Sequence, residues 1–133
     1  MSVVWSMTST DSGQFQYQEK HSELQELVDA FNLLRSRSQG YMEVRLSDKD
    51  FPQMTLSFQG GQAVIHLFTK EEIVSLLAGD GSVPADVAVE FPIMDDPVDF
   101  TGDFILGLDR AWEIVEDFAQ TGEFEGLGEW CEL

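Results

Sequence analysis

Residue types that commonly perform catalysis are scarce in this sequence, and their spacing matches no known catalytic pattern. The chain has two histidines and one cysteine, and it lacks nucleophile-elbow, phosphate-loop, dinucleotide-binding and zinc-protease motifs. His66 is predicted to face Thr55 across a hairpin, where a cross-strand hydrogen bond explains the presence of a histidine without any catalytic role. His21 precedes a predicted helix start, and Cys131 has no cationic neighbour in sequence to activate its thiol. We therefore predict no catalytic residue and a protein that is not an enzyme.

A run of aspartates between residues 94 and 103 is the other group that could do chemistry. Asp95, Asp96, Asp99 and Asp103 offer carboxylate oxygens, which Ca²⁺ and Mg²⁺ prefer as ligands. Their spacing differs from that of an EF-hand loop, which needs acids at alternate positions, a central glycine and a terminal glutamate. We therefore predict no metal and no cofactor, and a metal-dependent enzyme that uses this loop remains an alternative.

The charge of the chain is strongly negative and unevenly distributed. Twenty-five acidic residues against seven Lys and Arg give a formal net charge of -18. Residues 1–70 have a net charge of -2, whereas residues 71–133 hold seventeen acids and one base and have a net charge of -16. Such a field repels nucleic-acid phosphates and anionic membranes. Solubility needs a net charge of only about 2 to 8 in magnitude, so the excess favours a basic partner.

Length and composition are typical of a single folded domain, which we predict over residues 1–133. Hydrophobic residues make up 43% of the chain and aromatic residues 11%, which is enough for a packed core. One cysteine cannot form an internal disulfide, and the sequence shows no signal-peptide pattern and no apolar run of about 20 residues. These features favour a cytoplasmic protein.

The clearest strand pattern is a hairpin around the two-residue turn Gly60-Gly61. Three apolar pairs then face each other on one side of the hairpin, which fixes its register. These pairs are Phe58 with Ala63, Leu56 with Ile65 and Met54 with Leu67. The preceding segment, residues 41–47, alternates in the same way and completes a predicted three-stranded meander. The other predicted strands span residues 3–8, residues 86–91 and part of the tail, residues 123–133.

Apolar residues at helical spacing predict three helices. The first begins at a capping box formed by Ser22 and Gln25 and ends near residues 38–40. A short second helix spans residues 69–79, and residues 94–103 are predicted to be an acidic loop. The third helix buries Leu108, Ala111, Trp112, Val115, Phe118 and Ala119. The predicted class is α+β, with a mainly antiparallel sheet of five to six strands and two to three helices packed on one face.

The last part of the chain resembles a known family. From Leu108 it reads L-x-x-A-x-x-x-V-x-x-F-x-x-T-G, followed by Gly128-Glu129-Trp130. This is similar to the end of immunity proteins from bacterial polymorphic-toxin systems, in which an amphipathic helix leads to a last strand ending in Glu-Trp. The resemblance implies a small cytoplasmic α+β domain that binds and blocks a cognate toxin, often a nuclease or nucleic-acid deaminase. The chain departs from the family pattern in the predicted helix over residues 69–79 and in its Asp-rich loop.

We therefore predict an immunity protein that occludes the active site or substrate groove of a basic toxin domain. It is expected to be a monomer or a weak dimer and to bind neither nucleic acid nor membrane. A phage-encoded acidic mimic of DNA that inhibits a nuclease is an alternative. Acids would steer the encounter, and exposed aromatic residues would supply most of the affinity. The predicted acids are Asp95, Asp96, Asp99, Asp103, Glu113, Glu116 and Asp117, and the predicted aromatic anchors are Phe100 and Phe104.

Overall fold

The computed structural model describes residues 2–133, which form ten strands and two α-helices. The strands are β1 Ser2–Met7, β2 Lys20–Glu23, β3 Gln39–Leu46, β4 Gln53–Gln59, β5 Gln62–Lys70, β6 Ile73–Leu77, β7 Ala88–Ile93, β8 Asp96–Thr101, β9 Leu106–Gly107 and β10 Trp130–Glu132. The helices are α1 Leu24–Arg35 and α2 Leu108–Thr121, and 3-10 turns lie at Gly102–Phe104 and Glu125–Leu127. The predicted α+β class is confirmed, but the strands are more numerous than the five or six expected.

Eight strands form one antiparallel sheet in the order β10-β6-β5-β4-β3-β1-β2, with β9 paired to the first residues of β5. The predicted meander is confirmed, and the register across the Gly60-Gly61 turn is the predicted one. Gly60 has a positive φ of 60°, a conformation that a side chain disfavours, so the turn residues and the apolar alternation specify the same hairpin.

Both helices pack on one face of this sheet, which we call the helix face. The apolar residues of α1 and α2 share one core with Met54, Leu56 and Phe58 of β4. The rings of Phe31 and Trp112 stack with centroids 4.0 Å apart and hold the two helices together. Among the described residues, no helix is long and apolar enough to cross a membrane.

The opposite face, which we call the hairpin face, is covered by irregular chain and by the two-stranded sheet β7–β8. A second, smaller core lies beneath this hairpin, where Phe91 packs with Val64 of the main sheet and with Leu76, Val83 and Ile105. The Ser57 hydroxyl donates a hydrogen bond to the carbonyl of Pro92 and ties β4 to β7. The sheet is therefore enclosed on both sides, whereas the sequence predicted a cover on one side only.

The helix predicted over residues 69–79 is wrong. Residues 73–77 form β6, which pairs with β5 on one side and with β10 on the other. Phe68 and Lys70 lie at an irregularity in the β5–β6 register, and residues 71–72 form the connection of this hairpin. The backbone hydrogen bonds that β6 makes to both neighbouring strands outweigh the weak local preference of a segment too short to be stable as a helix.

The acidic loop predicted over residues 94–103 is also wrong in most of its length. Met94 and Asp95 form a tight turn, β8 then pairs with β7 from Asp96 to Thr101, and Gly102 and Asp103 lie in the following 3-10 turn. Val98 and Phe100 lie opposite Phe91 and Val89, so apolar cross-strand pairs stabilise a segment whose proline and aspartates suggested a loop.

The first helix differs from its prediction at both ends. Ser22 lies in β2, and the residue before α1 is Glu23, whose side chain forms no capping hydrogen bond. The left-handed residue after α1 is Ser38, with a φ of 68°, and Gly40 already belongs to β3. The end of α2 is confirmed, since Gly122 adopts the left-handed conformation and its N–H bonds to the Phe118 carbonyl.

Candidate functional site

The acids predicted to bind one partner lie on two different sides of the sheet. Asp96 and Asp99 are in β8 on the hairpin face, and Asp95 and Asp103 flank that strand. Glu113, Glu116 and Asp117 are in α2 on the helix face. The structure therefore divides the predicted acids into two groups, and the part of each group in binding stays a prediction.

The acidic hairpin surface comprises Glu90, Asp96, Asp99 and Asp103, all exposed. Glu90 and Asp99 are direct cross-strand partners, and they alternate with residues that pack into the second core, so both carboxylates lie on the outer side of the hairpin. Throughout residues 2–133, no lysine or arginine forms an ion pair with these acids. Like charges directly opposite each other destabilise a strand pair, so the hairpin holds an uncompensated repulsion.

Asp95 has a structural contact that its neighbours lack. Its Oδ1 atom accepts a hydrogen bond of 2.8 Å from the backbone N–H of Phe15, eighty residues away in the chain. Phe15 in turn packs edge-on against Tyr41, with ring centroids 5.3 Å apart. This carboxylate therefore joins the turn of the β7–β8 hairpin to the loop between β1 and β2.

The two predicted aromatic anchors are less exposed than expected. Phe100 and Phe104 are half-buried and pack against the second core. The Phe100 ring lies edge-on to Phe91 and to His66, with centroids 6.0 and 5.4 Å apart. Both rings pack between the β7–β8 region and the main sheet, and the contact of their exposed edges with a partner stays a prediction.

The acids of α2 are partly neutralised within the chain. Glu113 forms an ion pair of 3.3 Å with Arg110, and Asp109 forms one with Arg35 of α1. Burial raises the pKa of the Glu116 carboxyl, and the neighbouring charges of Asp117 and Glu113 raise it further. This helix is therefore a weaker source of uncompensated charge than the hairpin.

A row of polar side chains that sequence reasoning did not select as a site crosses the hairpin face. Ser6 of β1 pairs with Glu43 of β3, Glu43 pairs with Thr55 of β4, and Thr55 pairs with His66 of β5. Paired residues of adjacent strands point to the same face, so these four side chains form one continuous line, which we call the polar row. Ser6 and Thr55 are buried, and Glu43 and His66 are half-buried.

The polar row is electrostatically unusual. Burial raises the pKa of the Glu43 carboxyl, although the Tyr41 hydroxyl donates a hydrogen bond of 2.8 Å to its Oε2 atom. Burial also raises the pKa of Tyr41 and lowers that of His66 to about 4, so the imidazole is neutral at pH 7. Glu43 and His66 therefore both lie in surroundings that disfavour their charged forms.

Thr55 is the most deeply buried member of the polar row, with a side chain that is 1% exposed. Its hydroxyl interacts with the Tyr41 hydroxyl, which donates its own hydrogen to Glu43. No hydrogen bond joins Thr55 to His66 in the described part of the chain, so the predicted cross-strand bond is wrong, although the two residues are paired as predicted.

The sequence contained a partial signal for this row. The alternation of β3 placed Glu43 on the polar side of its strand, and the Gly60-Gly61 turn paired Thr55 with His66. The register of β3 against β4 was missing, because no tight turn fixes the connection between those strands. The cluster of aspartates was the more evident sequence feature, because acidic residues can be counted without knowing how the strands pair.

The aspartates do not converge on a cation site. Among residues 2–133, no group of three or more His, Cys, Asp or Glu side chains is arranged to hold a metal ion. No model of a known protein family matches this chain, and no curated protein matches it.

Proposed function

We propose that this protein is an immunity protein that binds a basic toxin domain and blocks its active site or substrate groove. The observation that carries the proposal is the acidic hairpin surface, where Glu90 faces Asp99 and no cation of the described residues pairs with either. Repulsion between the carboxylates of Glu90 and Asp99 lowers the stability of the free protein, and a cationic partner relieves it on binding. The surface therefore has the charge pattern of an interface.

A toxin that acts on nucleic acid suits such a surface physically. Its substrate groove must be basic to hold phosphates, and carboxylates on a rigid hairpin compete for the same cations. Long-range attraction speeds the encounter, and the rigid hairpin then stands where the substrate backbone would lie. The proposed action is steric and electrostatic and involves no turnover, and the proposed compartment is the cytoplasm.

The hairpin, more than α2, is proposed as the contact surface. Two of the acids in α2, Asp109 and Glu113, are paired with arginines of this chain, whereas those of the hairpin have no such pair among residues 2–133. The resemblance in the last part of the chain concerns a helix whose apolar residues lie in the core, so it bears on the fold and leaves the contact surface open.

Co-expression with the toxin domain encoded beside this gene tests the proposal. We expect the chain to restore growth of bacteria that express the toxin, and to inhibit the purified toxin at a one-to-one ratio. Growth arrest in the presence of folded protein, with no binding in calorimetry, would refute it. Inhibition of a restriction or CRISPR nuclease in place of the toxin would instead support the DNA-mimic alternative.

A matched pair of double variants tests the contact surface. Glu90→Gln with Asp99→Asn removes two charges from the hairpin, and Glu113→Gln with Asp117→Asn removes two from α2. We expect the hairpin variant to slow association with the toxin about tenfold at low salt, with a reduced salt dependence, and the helix variant to slow it less than twofold. Equal slowing by both variants would show that net charge alone attracts the toxin.

A further inference from the structure

We propose that the outer edge of β8 binds an extended segment of the partner as an additional strand, and that this segment alternates basic and apolar residues. That the segment belongs to a toxin rests on the proposed function, whereas the chemistry of the edge rests on β7 and β8 alone. β8 pairs with β7 on one side, and within residues 2–133 no strand lies along its other side. Such an edge offers unpaired backbone donors and acceptors to another chain.

The register of the hairpin shows which backbone groups of β8 are free. The Gly102 N–H donates a hydrogen bond of 3.0 Å to the Val87 carbonyl, so these two residues form a hydrogen-bonded pair. Hydrogen-bonded and non-hydrogen-bonded pairs alternate along an antiparallel ladder, so Asp99 and Thr101 belong to pairs of the second kind. Their N–H and C=O groups therefore point away from β7. No other backbone group in the described part of the chain pairs with them.

The prolines of the hairpin agree with this assignment. Pro97 lies opposite Pro92 in a pair of the second kind, where neither residue has to donate an N–H to the other. The Pro92 carbonyl points away from β8 and accepts a hydrogen bond from the Ser57 hydroxyl of the main sheet. The outer edge of β7 is therefore partly occupied. Every residue of β8 except Phe100 is exposed, so its outer edge is the accessible one.

The side chains beside the edge select the occupant. Asp99 lies on the outer side of the hairpin, whereas Val98 and Phe100 lie on the side of the second core, because successive residues of a strand alternate. Val98 is nevertheless 39% exposed. An added strand therefore meets a carboxylate on one side and apolar side chains on the other. A segment with a basic residue at every second position and apolar residues between them complements both sides.

Charge favours such a segment over a second copy of this chain. Two copies that paired along β8 would bring the carboxylates of Asp96 and Asp99 near those of the other copy, and like charges destabilise strand pairing. The two end strands of the main sheet suit a basic segment less well, since β2 begins with Lys20 and His21 and β10 has three residues. The edge of β8 therefore disfavours a second copy and attracts a basic strand.

A short capped peptide of alternating valine and lysine tests the edge without any toxin. Amide hydrogen exchange, followed by NMR, reports on each N–H of β8 separately. At saturating peptide we expect exchange to slow at least fivefold for the N–H groups of Asp99 and Thr101. The N–H groups of Val98 and Phe100, which already face β7, should change less than twofold. Absence of slowing, or equal slowing of all four, would overturn the proposal.

Two control peptides separate strand pairing from attraction by charge. The same peptide methylated on every backbone nitrogen keeps its side chains and its charge but has no N–H donors. We expect it not to slow exchange in β8, and we expect the same of a peptide of alternating valine and glutamate. Slowing by the methylated peptide equal to that by the unmethylated one would mean that charge alone holds the peptide, and it would overturn the proposal.

Thr101→Pro and Thr101→Ala are matched variants of the edge itself. Thr101 has a φ of -88°, near the value that proline imposes, and its N–H points away from β7, so proline removes a donor of the edge without removing a bond of the hairpin. Thermal unfolding verifies that both variants fold. We expect Thr101→Pro to weaken binding of the valine–lysine peptide at least tenfold and Thr101→Ala to change it less than twofold. Unchanged binding by folded Thr101→Pro protein would overturn the proposal.

Analytical ultracentrifugation tests the competing occupant. We expect the free chain to show no self-association through β8 at low or at physiological salt, because the edge is acidic. A dimer that Thr101→Pro converts to a monomer would assign the edge to a second copy and overturn the proposal.

Binding to the toxin separates this inference from the proposed function. If the hairpin variant weakens toxin binding and Thr101→Pro does not, strand addition fails and the immunity function stands. If the valine–lysine peptide protects the N–H groups of Asp99 and Thr101 but the chain neutralises no toxin, strand addition stands and the immunity function fails.

Discussion

The two faces of the sheet are built from the same strands yet are covered in different ways. The helix face meets α1 and α2 through apolar residues, and its core includes the stacked rings of Phe31 and Trp112. The hairpin face combines a small apolar core around Phe91 with the polar row and an acidic outer surface. Alternation along each strand sends successive side chains to opposite faces, so one strand such as β4 serves both.

The difference separates stability from recognition. Apolar burial is non-directional and stabilises the fold without the need for any partner. Unpaired carboxylates directly opposite each other lower stability in the free protein, and this cost is removed when a ligand supplies the missing positive charge. Changes in the core of the helix face should therefore have the largest effect on unfolding, and changes to the exposed acids of the hairpin face should mainly affect binding.

The largest expected effect is on the helix face. Trp112→Ala removes the ring that stacks on Phe31 and should lower the free energy of unfolding by about 3 to 5 kcal/mol, measured by chemical denaturation. Leu33→Ala, at a side chain that is 65% exposed on the same side of the sheet, is the control and should change it by less than about 0.5 kcal/mol. Under conditions where the Trp112→Ala protein is folded, its affinity for the toxin should be that of the wild type. A folded protein with lost binding would break the separation of the two faces.

A smaller effect is expected from pH on the hairpin face. The pKa of His66 is about 4 in the folded protein against 6.5 for an ordinary histidine, so the unfolded chain takes up a proton between these values and the folded protein does not. Stability from this residue is complete above pH 6.5 and is lost as the pH falls towards 4, by about 2 to 3 kcal/mol.

The measurement is the difference in unfolding free energy between wild type and His66→Gln at pH 7 and at pH 4. The raised pKa of Glu43 has the opposite sign, since the folded protein there holds a proton that the unfolded chain has released, and it cancels in this difference. His21→Gln, at an exposed position in β2, is the control and should leave the pH dependence of wild type unchanged. The same pH dependence in His66→Gln as in wild type would show that His66 does not cause the loss.

The smallest effect concerns the contact between the hairpin and the loop. Asp95→Ala removes the acceptor for the Phe15 N–H and should lower the free energy of unfolding by about 1 kcal/mol. Asp96→Ala makes the same change in charge one residue further on, at an exposed carboxylate without such a contact, and should be nearly neutral. Equal losses in thermal or chemical unfolding would show that the hydrogen bond contributes nothing.

Where a local pattern left only one favourable arrangement, the fold was predictable. The Gly60-Gly61 turn admits one register that places Met54, Leu56 and Phe58 on the same side, and the structure has that register. The apolar face of α2 and the end of this helix at Gly122 were predictable for the same reason. Prediction failed for β6, one of whose two partner strands, β10, lies at the far end of the chain, and for β8, whose aspartates and proline indicated a loop although its partner β7 directly precedes it.

The candidate site shows the same division. The density of acids in the second half of the chain was visible at once, but their separation onto two sides of the sheet followed from the placement of β7–β8. The burial of Thr55 had no sequence signal, because it depends on how the chain covers the hairpin face of the sheet.

The sequence by itself determined the charge, the apolar helix stripes and the central hairpin, because these depend on the spacing of residues along a few turns of chain. The tertiary structure alone decided the register that adds Glu43 to the predicted pair of Thr55 and His66, and the placement of the acids of β8 and α2 on different sides of the sheet. Those arrangements depend on the packing of separate elements against each other, and the free energy of such contacts belongs to pairs of surfaces that no local spacing specifies.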